Sequence, residues 1–435
     1  MNETARQLLK FIKNSPSGFH AVENCAAALR ADGYTALEEG ERWRLTPGGK
    51  YFVTRSGSSL LCFRIPSSAP TGFVLAAAHS DSPTFRLKQN AQSVSAGCVR
   101  LNTEKYGGML MSTWFDRPLS LAGRVLVRQD GVLTAKTVQI DRDLLVIPSV
   151  AIHMNRSAND GVRLLANVDT LPLFGGADSM GALEQMLARC AGVQPEQIVS
   201  HELSLYVRGE GTLVGANEEF ISAPKLDDLE CAFTALHGFL QAKPTSMIPV
   251  CCVFDNEEVG SETKQGAASN LLRDTLRRIA LCLGLDEEDH LRLLANSFMA
   301  SCDNAHAQHP NHPEYSDGEN CPFMNGGVVV KYNAAQRYST DALSAAVFET
   351  VCKNAGVKTQ TFANRSDLPG GSTLGSISNT RVAVPTVDIG LAQLAMHSCW
   401  ETAGTFDAEA MLIAMRALFS SEFVFSGGSV TVKTV

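Results

Sequence analysis

The sequence predicts an α/β protein in which a mixed-sheet α/β/α domain is interrupted by an inserted β-rich domain. Three observations support this prediction. In residues 1–85 and 223–435, amphipathic helical stretches alternate with short, fully apolar strand stretches. Residues 86–222 contain many short β-type segments separated by Gly, Asn and Asp, with one helical piece near 178–190. The chain has 435 residues, which exceeds the size at which one hydrophobic core stops growing.

The elements of the α/β part follow in order along the chain. Apolar residues recur at helical spacing in residues 1–31, with a Ser-Pro break, which predicts helices there. Short strands near 51–54 and 60–64 precede the continuous apolar run FVLAAA. After residue 223, KLDDLECAFTALHGFLQA has one apolar face and predicts a helix. The runs IPVCCVFD, FMASCD and VAVPTVDIG predict further buried strands.

Composition and charge exclude several classes of partner. The formal net charge is −8 and the pI about 5.7, whereas nucleic-acid binding needs a concentrated basic surface. No apolar run approaches the roughly 18 residues of a membrane-spanning helix, and MNETARQLLKFIKNSPSGFH lacks the features of a signal peptide. The 12 cysteines are scattered without a C-x-x-C motif, which is typical of free thiols in a reducing compartment. We therefore expect a cytoplasmic protein without nucleic-acid or membrane partners.

Metal-type ligands follow predicted strands at the points where the strands end. They are His79 and Asp81 after FVLAAA, Asp255, Glu257 and Glu258 after VCCVF, Asp303 and His306 after FMASC, and His397 in the loop after VAVPTVDIG. Ligands of open α/β sheets bind outside the carboxyl ends of the strands, so we expect these side chains to meet at one edge. Imidazole and carboxylate groups suit zinc and related divalent ions. The pattern predicts a metal site built from four separate segments.

Asp227 and the neighbouring pair Glu257 and Glu258 have more specific interpretations. Two ions about 3.5–4 Å apart need a bridging carboxylate, and Asp227, at the start of the helix in KLDDLECAF, is the candidate. A helix N-cap is the alternative role; we expect Asp227 to be the ligand and Asp228 to be the cap. Glu257 and Glu258 are neighbours, so in extended backbone their side chains point to opposite sides. One can then bind metal while the other acts as general base on a water molecule.

These motifs resemble the aspartyl aminopeptidase family of co-catalytic, two-metal aminopeptidases, and the chain looks like a bacterial-type member. The segments that carry the resemblance are HSDSP, KLDD, DNEEVGS, DNAHAQHPNHPE, GGVVVKYNAAQRYST, SDLPGGSTLG and QLAMHS. They occur in the family's order over most of the chain, from KFIKNSPSGFHAV to LAMHS. The resemblance implies that residues 1–85 and 223–435 form the metallopeptidase domain and that residues 86–222 form a dimerisation domain. It also implies that dimers assemble into a dodecamer.

The resemblance further implies a role for each residue of the site. The metal ligands would be His79, Asp227 and Asp303 for one ion and Asp227, Glu258 and His397 for the other. Glu257 would be the general base, and Asp81 would orient His79. His153, in AIHMNR, would reach the active site of a neighbouring subunit and contact substrate or stabilise the oxyanion, or serve as a further metal ligand. The two ions per subunit are expected to be zinc, with cobalt or manganese as alternatives.

Four residues are candidates for substrate binding. Lys331, at the end of GGVVVK, is interpreted as a cation that pairs with an acidic side chain at the substrate N-terminus. The alternative is a solvated lysine that ends a strand. His306 is expected to line the cleft. Ser372 and Thr373, in PGGSTLG, are expected to hydrogen-bond the substrate backbone, with a simple turn as the alternative.

The predicted function is the removal of N-terminal residues, preferentially Asp or Glu, from peptides. The attacking water molecule would be activated by two metal ions. Two alternatives stay open at this point. One is an aminopeptidase for neutral or hydrophobic N-terminal residues, in which Lys331 is unused. The other is a non-enzymatic member that serves assembly or binding.

Overall fold

The computed structural model describes residues 2–368 and 370–434. In these ranges the chain forms nine α-helices: α1 (Glu3–Lys13), α2 (Gly18–Ala31), α3 (Ala182–Ala191), α4 (Leu226–Gln241), α5 (Leu271–Cys282), α6 (Glu287–Ala295), α7 (Ala342–Asn354), α8 (Leu374–Asn379) and α9 (Thr405–Phe419). The two N-terminal helices are separated at the Ser-Pro break, as the sequence predicts.

The strands of the first half of the described chain are β1 (Thr35–Leu37), β2 (Lys50–Arg55), β3 (Ser59–Arg64), β4 (Phe73–His79), β5 (Thr84–Ser95), β6 (Cys98–Tyr106), β7 (Leu119–Gln129), β8 (Val132–Gln139), β9 (Leu173–Gly176), β10 (Ile198–Val207), β11 (Thr212–Val214) and β12 (Phe220–Ala223). Those of the second half are β13 (Ile248–Phe254), β14 (Phe298–Cys302), β15 (Ala305–His306), β16 (Val328–Tyr332), β17 (Thr359–Ala363), β18 (Thr386–Gly390), β19 (Ala392–Leu394), β20 (Glu401–Gly404), β21 (Ser421–Ser426) and β22 (Ser429–Thr434).

A nine-stranded mixed sheet forms the centre of the fold, in the order β1-β2-β3-β13-β4-β14-β18-β16-β17. Its middle strands β13, β4, β14 and β18 run parallel, while β3 and β16 join this group in antiparallel fashion. The central strand β4 is buried along its whole length, as expected for a parallel strand that is covered on both faces. Alternate residues of β4 enter two separate cores, with Val74 and Ala76 in one and Phe73 and Leu75 in the other.

Helices cover both faces of this sheet. Helices α2, α4, α7 and α9 contribute to the core on one face, and α5, α6 and α8 contribute to the core on the other. Helices α4 and α9 approach closely at Gly238, where a Cβ atom would lie 2.5 Å from Met415 Cβ, so a residue without a side chain is needed at this crossing. The mixed α/β fold class that the sequence predicts is confirmed.

A second, antiparallel sheet has the order β8-β7-β10-β5-β6-β9. It has its own core, in which Phe85, Leu121 and Leu203 pack with Leu187 of α3. Its strands fall between residues 84 and 207, within or next to the stretch that the sequence predicts to be β-rich. The division of the chain into domains at residues 86 and 222 stays a prediction.

A five-stranded sheet, in the order β11-β12-β20-β19-β15, lies beside the start of α4, and β21 and β22 form a separate hairpin. The chain's 12 cysteines are free thiols, as their scattered spacing predicts. Among the described residues, no helix is both long enough and apolar enough to cross a membrane.

Candidate metal centre

Side chains of the metal-ligand type meet at the carboxyl edge of the parallel strands. One group contains His79, Asp227, Asp228 and Asp303, and a second contains Asp227, Glu258 and His397. Within each group, one ligand atom of every residue lies within 4.8 Å of the others. His79 is the last residue of β4, Asp303 follows β14, and Glu258 lies shortly after β13. The structure therefore brings together all five predicted metal ligands, and Asp227 is common to both groups.

The Asp227 carboxylate lies between two histidines. Its Oδ1 is 3.4 Å from Nε2 of His79, and its Oδ2 is 3.4 Å from Nε2 of His397. Burial raises the pKa of Asp227, but the neighbouring imidazoles of His397 and His79 outweigh this effect, so the pKa is lowered overall. A buried carboxylate that directs one oxygen to each group has the geometry of a bridge between two cations.

The backbone at the start of α4 is not helical at Asp227 (φ −81°, ψ 106°) or at Asp228 (φ −124°, ψ 24°). The prediction that Asp228 caps this helix is wrong, because no side chain in the described part of the chain caps α4 and Asp228 Oδ2 accepts the N–H of His79 instead, at 3.1 Å. Asp228 is fully buried, and this burial raises its pKa. The irregular start of the helix thus directs both carboxylates towards the end of β4.

The ring of His79 lies beside Asp81. Nδ1 of His79 lies 3.1 Å from the Asp81 backbone oxygen and 3.4 Å from its Oδ1. When Nδ1 donates to Asp81, the lone pair of Nε2 is directed towards Asp227, which is the tautomer that a metal ligand needs. Burial lowers the pKa of His79, but the carboxylates of Asp228, Asp227 and Asp81 raise it well above its usual value.

Glu257 and Glu258 lie in the 3₁₀ turn Glu257–Val259 and not in the extended backbone that the sequence argument assumes. Asn256, with φ 63°, reverses the chain just before this turn. The two side chains nevertheless separate, since Glu258 belongs to the second group and Glu257 to neither. Burial raises the pKa of Glu257 to about 8, with the Asp303 carboxylate contributing against the opposing effect of His79.

Several buried carboxylate oxygens of the two ligand groups have no hydrogen-bond donor within the described residues. Among the described residues, no hydrogen-bond donor reaches Asp227 Oδ1, Asp228 Oδ1 or Glu258 Oε1, and all three are buried. Buried carboxylate oxygens without a compensating charge or donor are strongly destabilising. A divalent ion compensates several of them at once, and a mixture of imidazole and carboxylate ligands suits zinc, cobalt or manganese. The residues at this edge therefore fit a metal centre.

Glu401 belongs to this centre and is missed by the sequence prediction. It is buried, its Oε2 accepts the N–H of Asp227 at 3.1 Å, and its Oε1 accepts the N–H of His397 at 2.8 Å. Burial, followed by the charge of Asp227, raises the pKa of Glu401 to about 8. Its position four residues after His397, in HSCWE, is a usable signal because a tight loop returns the chain to the same place.

Lys331 lies at the edge of the centre. Its side chain is only 2% exposed, which excludes the solvated-lysine alternative. Nζ donates to the backbone oxygens of Asp303 and Asn304, at 2.7 and 3.2 Å, and lies 3.6 Å from Asp303 Oδ2. Burial lowers the pKa of Lys331, but the charge of Asp303 and other neighbours raises it overall. Lys331 is therefore a buried cation that already has partners within the protein.

The other predicted residues lie outside the two groups. His306 is exposed to solvent, with its ring 6.1 Å from that of Phe362. Ser372 is exposed, whereas Thr373 is buried and donates a 2.6 Å hydrogen bond to Asp388. His153 is exposed in the segment between β8 and β9 and joins neither ligand group of its own chain.

This fold and this edge define the class of the protein: an α/β protein with a His–carboxylate metal centre, the arrangement that metal-dependent hydrolases use. The profile of the family described as Aminopeptidase I zinc metalloprotease (M18) matches residues 11–419. Two curated relatives are both described as Probable M18 family aminopeptidase 2. The Clostridium acetobutylicum protein is 47% identical over 414 residues, which cover 93% of this chain and 96% of the relative. The Pseudomonas aeruginosa PAO1 protein is 39% identical over 428 residues, which cover 96% and 98%. The chain belongs to the M18 family of aminopeptidases, as its motifs predict.

Solved structures of similar proteins agree with this assignment. The cryo-EM structure of the Ape4 and Nbr1 complex contains a chain that superposes with a TM-score of 0.93 at 36% identity, over 96% of this chain and 85% of that one. The S. cerevisiae mApe1 dodecamer superposes with a TM-score of 0.84 at 26% identity, over 96% and 98%. The similarity thus extends over nearly the whole described chain, including both large sheets.

Proposed function

We propose that this M18 aminopeptidase removes N-terminal Asp or Glu residues from peptides and uses two divalent metal ions per subunit, with zinc as the first candidate. The observation that carries the two-ion proposal is the position of Asp227. Each of its carboxylate oxygens lies 3.4 Å from the Nε2 atom of a different histidine, His79 or His397. A single ion would leave one of these two ligand groups without a cation.

The ligands would divide between the two ions. His79, Asp227 and Asp303 would hold one, and Asp227, Glu258 and His397 would hold the other. We assign Asp228 a supporting role, because it already accepts the backbone N–H of His79. When bound, the ions supply positive charge that acidifies a water molecule and polarises the carbonyl group of the scissile bond.

Glu257 is the general base in this proposal. The charges of Asp303 and Asp81 contribute to its raised pKa, so it lies close to the centre, but it belongs to neither ligand group. Its carboxylate takes a proton from the attacking water as the water oxygen bonds to the carbonyl carbon. It then gives this proton to the amine that leaves when the C–N bond breaks. Cations beside Glu257 favour its ionised form, which it needs in order to act as a base.

The preference for acidic residues rests on Lys331, a buried cation at the edge of the centre. A carboxylate of the substrate would share its Nζ with the acceptors of Asp303 and Asn304. His306, Ser372 and Thr373 are proposed to line the substrate cleft. Lys331 Nζ already contacts these acceptors of Asp303 and Asn304, so it has little capacity left to bind a substrate carboxylate. These contacts therefore favour a second candidate, an aminopeptidase for neutral or hydrophobic N-terminal residues.

We also propose assembly into dimers and a dodecamer, on the basis of the likeness to the mApe1 dodecamer. The segment around His153 exposes Val150 (61%), Ile152 (47%) and Met154 (84%), which a second copy would cover. Such a contact would bring His153 towards the partner's centre, to bind substrate, stabilise the oxyanion or complete the ligand set. Light scattering that finds a stable, active monomer would refute this assembly.

The test of the proposed function uses metal-stripped protein and chromogenic aminoacyl substrates with Asp, Glu, Ala or Leu as the aminoacyl group. Zinc, cobalt and manganese are added separately, and initial rates are measured. We expect activity only after metal is added and the highest kcat/KM for Asp or Glu. Faster cleavage of Leu or Ala would support the second candidate, and no cleavage under any of the three metals would refute the enzymatic proposal.

A further inference from the structure

Tyr106 ends β6, a strand of the six-stranded sheet, yet its hydroxyl group reaches the metal centre. The side chain is 6% exposed. Its hydroxyl donates to Asp81 Oδ2 at 2.6 Å and accepts a hydrogen bond from Asn256 Nδ2 at 2.8 Å. A phenol that donates to a carboxylate over this short distance makes a charge-assisted hydrogen bond, roughly twice as strong as a neutral one.

Asp81 is the point at which several parts of the centre meet. Its Oδ1 accepts the N–H of Glu257 at 3.1 Å and lies 3.4 Å from His79 Nδ1. Its Oδ2 accepts the N–H of Glu258 at 3.2 Å, in addition to the Tyr106 hydroxyl. Rotation of this carboxylate would therefore disturb the ring of His79 and the turn that carries Glu257 and Glu258. The Tyr106 hydroxyl is the contact that opposes this rotation from the side of the six-stranded sheet.

The tyrosine is itself held in place. The guanidinium of Arg86, on the neighbouring strand β5, lies 3.7 Å from the centre of the Tyr106 ring, a favourable cation–π distance. The next residues continue along the centre. Gly107 has φ +76°, and a Cβ atom there would lie 3.1 Å from Glu258 Cβ. Leu110 donates its N–H to the His397 backbone oxygen at 3.0 Å.

From these contacts we propose that Tyr106 is a positioning residue of the aminopeptidase centre. It fixes Asp81 and, through Asp81, sets the orientation of His79 and of the turn Glu257–Val259. The six-stranded sheet thus supports the metal centre of its own subunit, whatever its role between subunits. This inference rests on the proposed function, because it assumes that His79 and Glu258 bind metal and that Glu257 acts on the attacking water.

The variant Tyr106→Phe removes one oxygen atom and keeps the ring that contacts Arg86. Tyr206→Phe is the matched control: Tyr206 lies in the same sheet, is 5% exposed, and bonds through its hydroxyl to Gln139 and Ile140, neither of which belongs to a ligand group. For Tyr106→Phe we expect metal binding about 10–100-fold weaker, measured by competition with a chromogenic chelator, and kcat lower by a similar factor, because a hydrogen bond to a charged acceptor is lost. KM should change by less than about threefold, because no substrate contact is removed. Tyr206→Phe should match the wild-type protein in each measurement.

A double-mutant cycle separates positioning through Asp81 from a general loss of packing. If Tyr106 acts through Asp81, its effect should disappear once Asp81→Ala has removed both accepting oxygens. The double variant should then bind metal within about threefold of Asp81→Ala alone, which corresponds to less than about 0.7 kcal/mol. Effects that multiply in the double variant, or a Tyr106→Phe protein that binds metal as the wild type does, would overturn the proposal.

A second variant keeps the proposal testable if the first one does not fold. If Tyr106→Phe does not fold, as judged by circular dichroism and thermal melting, Gly107→Ala tests the same segment through its contact with Glu258. It should weaken the binding of one metal ion more than the other, and unchanged binding of both would count against the inference. The metal titrations need no substrate. A wild-type protein that binds two ions but cleaves nothing would therefore refute the proposed function while leaving this test intact.

Discussion

Replacing Glu401 with glutamine should weaken metal binding, although we assign Glu401 no contact with metal. Its two carboxylate oxygens accept the backbone N–H groups of Asp227 and His397. One side chain therefore holds two predicted ligands from separate segments, the start of α4 and the loop between β19 and β20. Glutamine has almost the same shape but only one acceptor oxygen. Whichever way the amide turns, its NH₂ group faces one of the two N–H donors, and that donor loses its partner.

The magnitude follows from the loss of one hydrogen bond to a charged acceptor. Such a bond contributes about 1.5–3 kcal/mol, and about 1.4 kcal/mol corresponds to a tenfold change in an equilibrium constant. We therefore expect metal binding to weaken by about 10–100-fold, which agrees with the usual effect of residues behind metal ligands. If the amide faces His397, the ion of the second group should be lost first. If it faces Asp227, both ions should bind more weakly.

The assay is a competition titration of metal-stripped protein against a chromogenic chelator, with bound metal counted by elemental analysis. The control is Glu422→Gln, which removes a carboxylate in β21 that accepts the N–H and hydroxyl of Ser246 at 2.8 and 2.6 Å and belongs to neither ligand group. The control should bind both ions as the wild type does. Wild-type affinity for both ions in Glu401→Gln would refute the reasoning, since it would mean that these backbone contacts do not hold the ligands.

Three further predictions concern the proposed chemistry. Glu257→Gln should lower kcat by about 10²–10⁴-fold while the protein keeps its bound metal, because Glu257 is in neither ligand group; elemental analysis and steady-state kinetics check this, and retained activity would exclude Glu257 as the base. Lys331→Met should lower the ratio of kcat/KM for Asp over Leu substrates by about 10–100-fold if its Nζ bonds the substrate; an equal loss for both substrates would show that Lys331 acts on Asp303 alone. Metal binding near pH 7 should release protons, because the pKa values of Glu257 and Glu401 are raised to about 8, so both carboxyls are largely protonated before the ions bind and ionise beside them. Apparent affinity should therefore rise with pH up to about 8, and calorimetry in buffers of different ionisation enthalpy should count the protons. A binding enthalpy that is the same in every buffer would contradict this prediction.

The sequence predicts the centre well where the rules of parallel sheets apply. Apolar runs that end in His79 or Asp303 identify both the strand and the edge at which it delivers its ligand, because in such sheets the carboxyl ends of the strands share one side. Predictions from the sequence are wrong about the local backbone where it is irregular. Asp228 is predicted to be a cap because helix propensity alone says nothing of the non-helical turn at the start of α4. The side chains of Glu257 and Glu258 do separate, with Glu258 alone in a ligand group, although both residues sit in a 3₁₀ turn instead of a strand. Their roles as base and ligand stay predictions.

The residues that no local pattern reveals are those that act on ligands through long-range contacts. Tyr106 is 25 positions from Asp81 and 150 from Asn256, its two hydrogen-bond partners, and nothing in EKYGG marks its hydroxyl as part of a metal centre. Yet buried carboxylates repel one another, and an array of them keeps its geometry only if each oxygen is held by a donor or a cation. Counting those donors finds Tyr106 behind Asp81, and following the backbone N–H groups of Asp227 and His397 to their acceptor finds Glu401. Within the two ligand groups, as far as the described residues show, oxygens of Asp227, Asp228 and Glu258 are left without a donor, and they mark where positive charge has to be supplied from outside the chain.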